Sequence, residues 1–194
     1  MQHTKTESSK LMNQNKSNFF VIGLILLAIG SRLLNNHYSW LANFSPLAAI
    51  AIFGGMNFQK KWMAIVLPFT LMFLSDIIIA LDNGTKLFHN YVFFTYSSFI
   101  VVAVLAILLK KFINTGTLVG MSLLSSIVFF LITNFAVWFM PNSGYPANAA
   151  GLMESYVAGI PFLKYTMTGD LFFTMVLFGS FEMLKRSNLV KANA

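Results

Sequence analysis

Three ionisable side chains, Arg32, Asp76 and Asp170, lie in or at the edge of long apolar stretches of the sequence. Asp76 belongs to the segment FLSDIIIA, inside an apolar run that covers residues 62–81. A carboxylate at mid-bilayer costs about 2.5–3.5 kcal/mol on insertion scales, so it needs a counter-ion or a polar cavity. These residue types therefore allow an ion pair that ties helices together, a small-molecule site, or an acid/base pair.

Other kinds of site lack the residues that they need. The chain has no cysteine, which excludes disulfides and thiolate metal sites. Its three histidines show no HExxH or HxxxH spacing, and no phosphate-binding loop of the Walker type is present. Ser75 beside Asp76 does not form a nucleophile elbow. We therefore expect no metal, no cofactor and no enzymatic activity.

The composition indicates a protein of the lipid bilayer. Of the 194 residues, 57% are hydrophobic and only 10% are charged, and the mean hydropathy is +0.70. Soluble domains carry about 25% charged residues. The net charge of +7 does not indicate nucleic-acid binding, because the basic residues lie at the ends of apolar runs, where they orient membrane helices.

Six apolar runs predict the elements that position these side chains. A membrane-spanning helix needs about 20 residues, so the first, second and last runs are short. The runs are continuous rather than alternating, which excludes barrel strands. We predict a single all-α bundle of six transmembrane helices, formed by residues 19–34, 44–58, 62–81, 91–109, 117–140 and 171–184.

The distribution of basic residues predicts the orientation of the bundle. With both termini in the cytoplasm, ten of the 13 lysines and arginines lie on the cytoplasmic side, as the positive-inside rule requires. Residues 19–186 would then form a multi-pass domain of the bacterial inner membrane. Polar cytoplasmic tails at 1–18 and 187–194 would flank it.

The polar residues of the predicted helices gather near the external side. At about 1.5 Å per residue, Arg32, Asp76 and Asn134 lie about 20, 21 and 25 Å from the cytoplasmic ends of their helices. Arg32 is therefore the expected counter-ion of Asp76, either in a pair that only locks two helices or in the wall of a cavity open to the outside. For the cavity, the predicted substrate-binding residues are Arg32, Asn43, Asp76, Asn134, Trp138, Tyr145, Glu154, Tyr156 and Asp170, with His89 as further lining.

The long outer segment 141–170 carries its own pattern. Residues 147–158 are predicted to form a short helix with Asn148 as its cap, and residues 159–161, Gly-Ile-Pro, are predicted to break it. Such a segment acts as a lid over a cavity or as a simple linker.

Small side chains form one face of the second run. Ala48, Ala51, Gly54 and Gly55 allow close helix approach, either within the bundle or to a partner membrane protein.

Several segments together resemble an uncharacterised bacterial membrane family. They are NFSPLAAIAIFGG (43–55), TNFAVW (133–138), GDLFFTMVLFG (169–179), the pattern YP…GL…Y…IPF in 145–162, and Pro68, Ser75 and Asp76. That family is similar to the substrate-binding S components of energy-coupling-factor vitamin transporters.

The resemblance implies a six-helix bundle that binds a vitamin-like solute from outside. It also implies a transmembrane coupling subunit and ATPases in separate chains. The first helix of many S components carries an Ala-xxx-Ala docking motif, which FFVIGLILLAIGSRLL lacks, and the Ala51/Gly55 pair is the substitute that the sequence offers. A membrane scaffold without a ligand and an intramembrane enzyme remain the alternative readings.

Overall fold

The computed structural model describes residues 23, 25–38, 43–87 and 91–186, and this part of the chain is helical without strands. The two predicted tails and His89 lie outside the described residues. The prediction of an all-helical protein is confirmed. The helices are α1 (25–37), α2 (Leu47–Asn57), α3 (Met63–Asn83), α4 (Val92–Leu109), α5 (Thr115–Phe139) and α6 (Ala149–Arg186), and a 3-10 turn (Lys110–Phe112) follows α4.

Among the described residues, three helices are long and apolar enough to cross a membrane. They are α3, α5, and α4 together with the turn that follows it. Helix α2 is shorter, with eleven residues, and at about 1.5 Å per residue it covers only half of a hydrocarbon core. The described helices therefore have the length and composition of membrane-spanning segments, and the short helix α2 depends on its neighbours.

Helix α2 lies at the centre of the bundle. Ten of its eleven residues are buried, and it contacts α3, α4, α5 and α6. A helix that is apolar on all sides is stable only where other helices surround it. This position follows from the sequence LAAIAIFGGMN, which has small residues for close approach and no charge.

The small-residue face of α2 packs inside the chain. A Cβ added to Gly55 would lie 2.6 Å from the Ala106 Cβ and 3.0 Å from the Ala103 carbonyl oxygen of α4. Gly54 faces Ala64, and Ala48 and Ala51 are also buried. The prediction of a partner-docking surface at Ala48, Ala51, Gly54 and Gly55 is therefore wrong. Because α4 and its neighbours cover these residues, they offer no surface to a partner.

Lys61 closes the C-terminal end of α2. Its Nζ donates to the carbonyl oxygens of Gly55 at 3.0 Å and of Phe58 at 2.9 Å. The last carbonyls of a helix lack helical partners, and a cation there also meets the negative end of the helix dipole. Burial lowers the pKa of Lys61 below its ordinary value, and the nearby Lys110 lowers it further. The turns after α2 and α4 therefore lie together at one basic end of the bundle.

The substitution Lys61→Met tests this cap. We expect it to reduce the free energy of unfolding by about 1–2 kcal/mol, because two carbonyl oxygens lose a charged donor. Thermal unfolding of the purified protein in detergent measures the loss. Lys60→Met changes an exposed lysine of the same turn and is the matched control. Equal losses in both variants would contradict the capping role.

Helix α6 runs without interruption through 38 residues. Asn148 caps it, since its Oδ1 accepts a hydrogen bond from the Gly151 N–H at 3.0 Å, and this part of the prediction is confirmed. The predicted separate helix at 147–158 with a break at 159–161 is wrong. Pro161 removes only the hydrogen bond to the carbonyl four residues earlier, which membrane helices tolerate. Gly159 serves close packing, because a Cβ there would meet the Asn134 side chain of α5 at 2.3 Å.

Aromatic contacts show that α2 and α6 run side by side in the same direction. Near the start of α2, the Phe44 and Phe173 rings are 5.0 Å apart, and further along the helix the Phe53 and Phe178 rings are 5.2 Å apart. The N-terminal end of α2 therefore lies opposite the basic end that contains Lys61. The candidate site lies at this N-terminal end.

Candidate functional site

A cavity of about 310 Å³ lies where the N-terminal ends of α2 and α4 meet the C-terminal end of α1. Residues of all six helices line this cavity. Its volume is near the lower end of the range for small-molecule sites. Its wall combines amide, hydroxyl and charged groups with apolar and aromatic side chains. The lining residues are Arg32, Asn35, Asn36, Asn43, Ser45, Leu47, Ala48, Ile79, Thr95, Phe99, Phe129, Thr166 and Asp170.

One side of the cavity is closed by an ion pair. Arg32 Nη2 of α1 donates to Asp76 Oδ1 of α3, and the Tyr96 hydroxyl of α4 donates to Asp76 Oδ2 at 2.8 Å. Asp76 is only 9% exposed, and each of its oxygens accepts a hydrogen bond. The counter-ion predicted from the depth of the two residues is confirmed. The pair joins three helices, and its two charges cancel.

Arg32 and Asn35 keep unused polar atoms on this side of the cavity. Arg32 Nε and Asn35 Oδ1 are buried and have no hydrogen-bond partner in the part of the chain that the structure describes. The other amide atom of Asn35, Nδ2, donates to the Phe44 carbonyl at 3.0 Å and so connects α1 to the start of α2. Both atoms belong to residues that line the cavity, and they lie one helical turn apart on α1.

Asp170 lies on the opposite side, in α6, and is 3% exposed. Its Oδ2 accepts from the Ser125 hydroxyl at 3.0 Å and from the Ser126 hydroxyl at 2.7 Å. Neither of the ion pairs found in the described residues includes Asp170. The structure thus places a carboxylate in the cavity wall with two hydroxyl partners and, among the described residues, no cation.

Three of the remaining predicted residues, Asn134, Trp138 and Tyr156, make contacts between α5 and the segment that contains α6. The Ser155 hydroxyl donates to the Asn134 carbonyl at 2.7 Å, and the Tyr156 hydroxyl donates to the Leu131 carbonyl at 3.3 Å. Trp138 Nε1 donates to the Pro146 carbonyl at 2.9 Å, in the connection that precedes α6. These contacts hold the C-terminal part of α5 against the N-terminal part of α6.

The structure therefore divides the predicted binding set. Arg32, Asn43 and Asp170 line one cavity, and Asp76 lies directly behind Arg32. The other five lie outside the cavity lining: Asn134, Trp138, Tyr145, Glu154 and Tyr156. Asn43 has a φ of 65°, a left-handed conformation that asparagine adopts more readily than most residues.

Sequence reasoning missed several polar residues of the site. Asn35 and Asn36 follow Arg32 at the spacing of one helix face, and that spacing was the signal that could have found them. Tyr96 also carried a signal, because a phenol inside an apolar run needs a hydrogen-bond partner. Ser125 and Ser126 carried none, since serines in membrane helices commonly bond to their own backbone, as both also do here.

Comparison with known proteins identifies a family but does not indicate a function. Residues 12–192 match a family whose description is a family of unknown function. No curated protein and no solved structure matches the chain.

Proposed function

The chain belongs to this family of unknown function, DUF6580, and we propose that it binds a small water-soluble solute in the cavity between its six helices. One observation carries the proposal. The cavity of about 310 Å³ has apolar walls and a few polar groups that converge from different helices, which is the character of small-molecule sites.

In this proposal the site binds the solute without covalent chemistry. The carboxylate of Asp76 already accepts from Arg32 and Tyr96, and Asp170 accepts from two serine hydroxyls. We therefore assign the cavity to recognition, with the solute held by hydrogen bonds and by contact with aromatic side chains.

We further propose that the cavity opens to the outside of the bacterial inner membrane. The basic turns that contain Lys61 and Lys110 lie at the other end of the bundle, and basic residues favour the cytoplasmic side. The proposed topology has six spans with both termini inside.

The resemblance to S components supports a role in vitamin-like uptake. In this proposal a coupling subunit and ATPases in separate chains supply the energy, since the sequence has no nucleotide-binding loop of the Walker type. The small residues of α2 are buried against α4, so such a subunit would dock on another surface.

A thermal-shift screen against water-soluble vitamins and related solutes tests solute binding. We expect a binding compound to stabilise the purified protein by about 2.7 kcal/mol at a concentration of 100 times its Kd. Thr95→Phe, which fills the cavity, should abolish that shift. Thr70→Phe makes the same exchange at an exposed position of α3 and should leave the shift unchanged. No response to any compound, or a full response in Thr95→Phe, would overturn the proposal.

A membrane scaffold without a ligand is the second candidate. The observation in its favour is that the ion pair of Arg32 and Asp76, with Tyr96, joins three helices and leaves neither oxygen of Asp76 without a hydrogen bond. A scaffold predicts that variants of these residues lose stability while the screen finds no compound that stabilises the wild-type protein.

A further inference from the structure

The charge of the cavity wall indicates which class of solute fits it. We propose that the solute carries one protonated nitrogen, which binds to the carboxylate of Asp170. This inference rests on the proposed function, because it names the chemistry of a solute in the same cavity.

The first step is the balance of charge. Arg32 and Asp170 are the charged side chains among the residues that line the cavity. The charge of Arg32 is cancelled by Asp76 behind it, whereas Asp170 belongs to neither ion pair of the described residues. With Asp170 ionised, the wall therefore has one unbalanced negative charge. A buried carboxylate without a cation is costly, and a cationic ligand removes that cost.

The second step is the geometry around the carboxylate. Both serine hydroxyls bond to Oδ2 of Asp170, and Oδ1 has no hydrogen bond within the described residues. Thr166 lies one turn earlier on α6 and also lines the cavity. Its hydroxyl donates to the Phe162 carbonyl at 3.1 Å, so its oxygen can still accept. Asp170 Oδ1 and Thr166 Oγ1 thus provide two acceptors for one ammonium group.

The third step is the rest of the cavity. The Phe99 and Phe129 rings line it with their centroids 5.7 Å apart, and aromatic faces attract both ring systems and cations. On the opposite side, Arg32, Asn35 and Asn36 line the cavity with hydrogen-bond donors and acceptors, so this end of the solute needs an acceptor and a donor. A hydroxyl or a carboxamide supplies both. The solute class is therefore a small amine with an aromatic or aliphatic body and a neutral polar group at its other end.

Matched pairs of compounds test the charge separately from the shape. We would use tyramine with its alcohol counterpart tyrosol, and pyridoxamine with pyridoxine, and measure Kd by titration calorimetry in detergent. For a pair that binds, the wild-type protein should favour the amine by at least about tenfold, as expected for one added hydrogen bond between charged groups.

Variants then assign the preference to Asp170. Asp170→Asn should remove the preference for the amine while it keeps the size of the side chain. Glu154→Gln removes an exposed carboxylate from the same helix and should keep the preference. Should Asp170→Asn fail to fold, Thr166→Val provides the second test, because it should weaken binding of the amine more than that of the alcohol.

The outcomes separate the inference from the proposed function. Equal binding of amine and alcohol, or binding of neutral or anionic solutes alone, would overturn the protonated nitrogen and leave solute binding intact. Preference for the amine that survives in Asp170→Asn would also overturn it. Failure of every solute in the wider screen would overturn the proposed function itself.

Discussion

Replacement of Arg32 by methionine is expected to reduce the free energy of unfolding by about 3–5 kcal/mol, the range found when one partner of a buried ion pair is removed. The variant leaves the carboxylate of Asp76, which is 9% exposed, with the Tyr96 hydroxyl as its described partner. Equilibrium unfolding of the purified protein in mixed micelles, followed by tryptophan fluorescence, measures the loss.

A double variant is the control for this prediction. Arg32→Met combined with Asp76→Leu removes both charges and fills similar volume with apolar atoms, a change that is commonly neutral or stabilising. We expect it to recover most of the lost stability. If the double variant is as unstable as Arg32→Met alone, the ion pair does not account for the effect.

The second large effect is expected at Gly55. Gly55→Ala should destabilise the protein by about 1–3 kcal/mol through overpacking. The added methyl would lie 2.6 Å from the Ala106 Cβ, and the Ala103 carbonyl oxygen at 3.0 Å belongs to the backbone of α4, which cannot turn aside as a side chain can. Thermal and chemical unfolding in detergent both report this loss.

Gly120 of α5 provides the matched control, because among the described residues no atom outside its own helix segment lies within 4 Å of a Cβ built there. Gly120→Ala should therefore be neutral or stabilise the protein by up to about 1 kcal/mol, the difference in helix propensity. A loss of stability at both glycines would show that close approach of α2 and α4 is not the cause.

Depth along a helix was the part of the site that the sequence could predict. The apolar runs set the ends of the helices, and a fixed rise per residue then placed Arg32 and Asp76 at the same level. The structure pairs them. Asn148 was also predictable, because an asparagine before a helical stretch commonly accepts from a backbone N–H of the first turn.

The side of each helix from which a polar side chain projects could not be predicted in the same way. Asn134 is at a suitable depth, yet its side chain packs against Gly159 of α6 and does not line the cavity. Which side of a helix faces a cavity depends on the helices that pack around it, and a helix that is apolar nearly all round has no stripe to show this. The same reason hid the serines that bond to Asp170.

The prediction at Pro161 failed for a different reason. Glycine and proline together are a strong signal for a break in soluble proteins. In α6 the glycine instead makes room for the Asn134 side chain, and the helix continues through the proline. Sequence alone does not distinguish a glycine that ends a helix from one that admits a neighbour.

The central position of α2 has a consequence for how the protein is made. Eleven residues are too few to span a bilayer alone, and four of the helices that pack against α2 follow it in the chain, with α6 last of them. The ribosome therefore synthesises α2 before most of the helices that surround it. Final packing of α2 therefore has to await synthesis of α6.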